Sequence, residues 1–106
     1  MNEEKASQEK ELSIEVEFND IFDITVAEDF RLKLVDALNN AQAIKLLASK
    51  IERADTAALQ MLCAFFKDAN TKGISVNWCA PSNSLRSAVA LLGLSQVLTL
   101  NTEVVL

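Results

Sequence analysis

The chain has no histidine, two glycines (Gly73 and Gly93) and two cysteines (Cys63 and Cys79) among its 106 residues. Without histidine, a Ser-His-Asp triad, a Cys-His pair and any histidine-bearing zinc site are excluded. Two isolated glycines write neither a phosphate-cradling loop nor a dinucleotide fingerprint. The cysteine spacing fits no metal or redox pair, and a structural zinc ordinarily takes four ligands. No apolar run approaches a membrane span, and the polar stretch Met1–Glu11 does not read as a signal peptide. Acid–base chemistry would rest on Asp and Glu alone, and no paired carboxylates fall in a pocket pattern. The expectation is a protein with no catalytic turnover, no cofactor and no metal.

What is present is a soluble, globular balance: 50% hydrophobic and 24% charged residues in one domain of 11.6 kDa. Ten basic residues face fifteen acidic ones, a formal net charge of −5. The long-range field repels polyanions, so nucleic acid and anionic membrane surfaces are poor partners. Two unmatched cysteines without an export signal fit a reducing cytoplasm. Both thiols, on apolar helix and strand positions, are expected to be reduced and mostly buried.

Residues 1–11 lack apolar periodicity and read as a disordered acidic tail, leaving 12–106 as the folded domain. Leu12, Ile14, Val16 and Phe18 alternate with polar residues as a strand. After the Asn19-Asp20 turn, Phe22, Ile24 and Val26 suggest a second strand, antiparallel to the first. A helix over 27–38 follows, with Phe30, Leu34, Ala37 and Leu38 on one face. Ile44–Ala48 reads as a central strand buried on both faces. Asp55 is a good N-cap for a helix over 57–69, with Leu59, Leu62, Phe66 and Ala69 at core spacing and Gly73 as its left-handed stop. Met61, Cys63 and Phe65 widen its apolar surface, Met61 and Phe65 either as an exposed patch or packed under a neighbouring helix. Ile74, Val76 and Trp78 form another strand, and the Trp78 indole N–H needs an acceptor. Pro81-Ser82 opens a last helix carrying Leu85, Ala88, Val89 and Leu92. Ser95–Leu100 reads equally as a helical turn or a short strand. The element order predicts an α/β fold, a mixed four- to five-stranded sheet with helices packed on it.

The run Asp55-Thr56-Ala57-Ala58-Leu59-Gln60-Met61-Leu62, the Lys72-Gly73 turn, Pro81-Ser82, Leu85-Arg86 and Leu91-Leu92-Gly93-Leu94 together resemble a STAS domain over about 12–100. STAS domains include anti-sigma-factor antagonists and the cytoplasmic tails of sulphate transporters. In the antagonist branch the helix starts Asp, two hydroxyl residues, Gly, and a kinase that is also the anti-sigma factor phosphorylates the second hydroxyl. That position is Ala57 here, and the Gly position is Ala58. The departure is similar to a second branch, the soluble STAS subunit on the ATPase of a lipid-trafficking ABC transporter, where a Thr follows the Asp. Single-domain STAS proteins of chemotaxis and two-component systems are similar too.

The resemblance implies a regulatory protein-interaction module of bacterial signalling. Its expected docking surface is Asp55, Thr56, Ala57, Ala58 and Met61, with Thr56 as phosphoacceptor or partner contact. A phosphate on Thr56 would meet the unpaired N–H groups of a helix start beside the Asp55 charge. The partner is a kinase or anti-sigma factor, another signalling regulator, or an ABC ATPase. A nucleotide-binding STAS domain is disfavoured by the shortage of glycine and basic residues near the motif.

Overall fold

The computed structural model describes residues 11–100. Five strands and three helices follow one another: β1 Glu11–Glu17, β2 Ile21–Phe22, α1 Ile24–Asn40, β3 Ala41–Leu47, β4 Arg53–Ala54, α2 Thr56–Thr71, β5 Ser75–Cys79 and α3 Asn83–Leu91. The α/β class holds, but the strand pairing differs from expectation. β1, β3 and β5 form a parallel sheet in that order, and β2 and β4 form a separate two-residue parallel ladder. The described pairings are therefore all parallel, not mixed. Each connection within the larger sheet carries a helix, which is what parallel neighbours require.

The second strand was misplaced. Ile24 and Val26 alternate with Thr25 like a strand, yet they form the first turn of α1. Asp23 decides the matter by accepting from the Thr25 N–H at 3.0 Å and its hydroxyl at 2.6 Å, a cap that starts the helix. Only Ile21 and Phe22 remain extended, parallel to Arg53 and Ala54. Glu11 pairs with Ala41 inside β1, so the strand starts within the expected tail; residues 1–10 lie outside the described residues. The central strand is not covered on both faces either, since Lys45 is exposed and Ala43 and Leu47 on its face are only half-buried, while Ile44 and Leu46 on the other face are buried. The chain over 95–99 is a turn, closed by the Leu100 N–H donating to the Ser95 carbonyl at 2.8 Å.

The core lies between the sheet and its helices. Phe18 stacks on Phe30 at 4.6 Å, and Phe22 meets both edge-on at 5.0 and 5.3 Å. Such pairs add roughly 0.5–1.5 kcal/mol each beyond the area they bury. Leu34 and Leu38 of α1 and Leu59, Leu62, Phe65 and Phe66 of α2 complete the packing. The Trp78 indole finds its acceptor in the Leu98 carbonyl, 2.8 Å away, pinning the 95–99 turn to β5. Gly73 has φ of 73° and ends α2 as expected.

The cysteines divide. Cys63 is half-buried, with burial pushing its thiol pKa up against the nearby Lys67. Cys79 is exposed, contrary to the expectation for both, because β5 is an edge strand and its last residue points away from the covered face.

Candidate functional site

β1, β3 and β5 run parallel, so their carboxyl ends share one end of the sheet, and the helix starts gather there. Asp23, Asp55 and Ser82 are the N-caps of α1, α2 and α3. In open parallel sheets ligands bind outside this end. Backbone bonds knit it together: the Glu52 N–H donates to the Asp20 carbonyl at 2.7 Å, the Asp55 N–H to Phe22 at 3.2 Å and the Ser82 N–H to Ala48 at 3.1 Å.

Asp55 caps α2 as the sequence predicts, but it does more. One carboxylate oxygen accepts from the Ala58 N–H at 2.9 Å, and the other from the Ile24 N–H at 3.1 Å. A single carboxylate thus sits on the starts of two helices, one of its donors lying 31 residues earlier in the chain. Each oxygen satisfies a donor that helix geometry leaves without a partner. Both helix dipoles favour the charge.

Thr56 and Ala57, on the first turn of α2, are exposed. With the neighbouring carboxylate occupied by two backbone donors, the Thr56 side chain is an outward polar group on this turn. Ala58 has no exposed surface and is a core residue, which takes its side chain off the expected docking surface. Met61 is half-buried one turn further on, beside Leu34 and Leu38 of α1 and next to the buried Phe65. The packed alternative therefore holds for Phe65, and Met61 is intermediate.

Sequence reasoning missed Asp23 and Arg53. Asp23 lines a depression of about 360 Å³ with Glu52, Arg53, Asp55 and Ser84. The Thr25 hydroxyl holds the Asp23 carboxyl below the usual carboxylate range, against a smaller opposing effect of burial, and Arg53 adds to the lowering. An Asp four residues ahead of Ala27, where the helical period of 27, 30, 34 and 38 begins, was the signal available. Ser82 serves α3 structurally, its hydroxyl donating to the Ile51 carbonyl at 2.6 Å and accepting from the Leu85 N–H at 3.1 Å. Among the described residues no three His, Cys, Asp or Glu side chains converge as metal ligands, and no helix is long and apolar enough to cross a membrane.

Parallel strands, packed helices and helix starts gathered at the strand ends define a small α/β module of the STAS type. A family model described as "Mlab, STAS domain" matches residues 5–101, and a search of curated proteins gives no match. The chain belongs to the STAS domain family. STAS domains are in general regulatory, non-enzymatic protein-interaction modules.

Proposed function

We propose that this protein docks a partner ATPase through the first turn of α2, with Thr56 at the centre of the contact, and catalyses no reaction of its own. The carrying observation is the exposed Thr56 beside an Asp55 whose two oxygens are committed to the backbone of α1 and α2. That arrangement leaves Thr56 and Ala57 standing on a turn that cannot easily deform. Rigid support of this kind lowers the ordering cost of association.

Of the possible partners, the ATPase of a lipid-trafficking ABC transporter is favoured over an anti-sigma kinase. Ala57 removes the hydroxyl that the antagonist branch phosphorylates, and Asp55-Thr56 followed by small residues resembles the transporter subunit. The matching family description names Mlab and not an antagonist. The signalling reading keeps one specific support: Thr56 lies at a helix start, where a phosphate is well received.

Calorimetric titration of the purified chain with its cognate ABC ATPase, and separately with its cognate kinase-fold anti-sigma factor, tests the reading. A charge on an exposed helix start is worth about 0.3–1 kcal/mol to the helix, so Thr56→Glu should melt near wild type. The same charge must be desolvated on docking, so the variant should lose the partner. Thr56→Val should also weaken the ABC ATPase if the hydroxyl is itself a contact, and should keep a kinase that needs it only as phosphoacceptor. Unchanged affinity of Thr56→Glu for both proteins would sink the site.

A further inference from the structure

The Ile24 and Ala58 N–H groups share the Asp55 carboxylate at 3.1 and 2.9 Å, so the starts of α1 and α2 are held within about 8 Å of each other. Ile24 opens α1 and is 65% exposed, the most exposed large apolar side chain of the two helices. At 3.6 residues per turn it shares a face of α1 with Arg31 and Val35. Those two line the groove against Met61 and Ala64 of α2, so Ile24 stands on the side of α1 that looks towards α2. Ala57 precedes Met61 and Ala64 on the matching face of α2, and it is exposed. Ile24 and Ala57 therefore flank the same end of the groove, next to Thr56. The depressions at this end are lined by Asp20, Asp23, Glu52 and Asp55 against Lys50 and Arg53, and Lys50 is already paired with Glu17 at 3.0 Å.

We infer that Ile24 is the apolar anchor of the docking surface, seated in an apolar socket of the partner ATPase whose rim is basic. The inference rests on the reading of Thr56 as the centre of that surface. A stable protein interface covers about 800 Å² on each partner, a patch roughly 16 Å in radius. Ile24 lies well inside that radius from Thr56, so a partner seated on Thr56 covers it too. Among the exposed residues of the two first turns, Thr25, Thr56 and Ala57 are too small to fill a pocket, which leaves Ile24. Its covered surface stabilises the complex only against apolar atoms, because polar groups of the partner would be left without hydrogen bonds. Its backbone is already fixed by Asp55, so docking orders little more than one side chain. The excess of carboxylates around it is complemented by Lys and Arg, and a polar rim around an apolar centre is the common anatomy of such contacts.

Calorimetric titration of the cognate ABC ATPase with Ile24 variants of the full chain is the test. Ile24→Ala should weaken binding by at least about tenfold, and Ile24→Leu should keep most of it. Ile24→Lys should bind more weakly than Ile24→Glu, because the lysine sets a like charge against a basic rim. The side chain is largely exposed and every variant keeps the N–H that Asp55 accepts. Circular dichroism melts should therefore stay close to wild type, which separates lost docking from lost folding. Wild-type affinity of Ile24→Ala, with Thr56→Glu unable to bind, overturns the anchor and leaves the reading of Thr56 standing. Wild-type affinity of both variants removes the docking surface altogether, and the anchor with it. Tighter binding by Ile24→Lys than by Ile24→Glu overturns the basic rim.

Discussion

Replacing Asp55 by alanine removes the acceptor for two helix-start donors at once. A single N-cap is worth about 1 kcal/mol, and the added bond to the Ile24 N–H brings the expected loss to about 2 kcal/mol. For a domain of this size the melting temperature should fall by roughly 10 °C. Asp55→Asn keeps one accepting oxygen and should fall between the two, and a melt indistinguishable from wild type would contradict the double cap. Asp23 answers to pH. Its carboxyl is held below its ordinary value of 3.8, chiefly by the Thr25 hydroxyl. Its contribution is therefore present above that ordinary value and is lost as pH falls through the lower, folded one. The stability gap between wild type and Asp23→Asn should close as urea melts are taken from neutral pH down through that acid range. The cysteines should separate kinetically: Cys79 is exposed, while Cys63 is half-buried with its thiol pKa raised. A thiol reagent should modify Cys79 first, and equal rates in the native protein would refute the ordering.

Helix α2 was readable residue by residue. Asp55, the apolar positions 59, 62, 66 and 69 and the Gly73 stop lie within one continuous stretch, and each acts locally. The start of α1 was not readable in that way. Phe22, Ile24 and Val26 carry a strand's alternation, and part of what holds Ile24 in a helix is an oxygen of Asp55, far along the chain. The exposed side of β3 was hidden for a similar reason, because apolar run length says nothing about which face a helix will cover. Thr56 could be placed from its neighbours, but the burial of Ala58 depends on how α2 seats on the sheet. The 95–99 turn was undecidable because Trp78 fixes it. Trp78→Phe keeps the ring beside Phe66 and removes one of the two donors to the Leu98 carbonyl, leaving the Thr99 hydroxyl at 2.7 Å. The expected cost is about 1 kcal/mol, with faster amide exchange at Leu98 and Leu100 and little change in α1.

For the molecule as a whole, each pairing in the larger sheet joins strands that are distant in sequence, and the helix starts meet only after those pairings form. The acidic excess of the chain, with Asp20, Asp23, Glu52 and Asp55 near the helix starts, would speed a basic partner's association at low salt, and this gain would be lost as salt is raised. Stopped-flow association rates across a salt series would check this, and a salt-independent rate would argue for a partner surface without basic character. The grip of Asp55 on α1 also has a spectroscopic side. The Ile24 amide proton rests on the same carboxylate that abuts Thr56, so its chemical shift and its exchange with deuterium should respond to whatever changes at the start of α2. An isotope label at Ile24 then reports on the start of α2 through Asp55, 31 residues further along the chain, with no tag placed on either side of the contact.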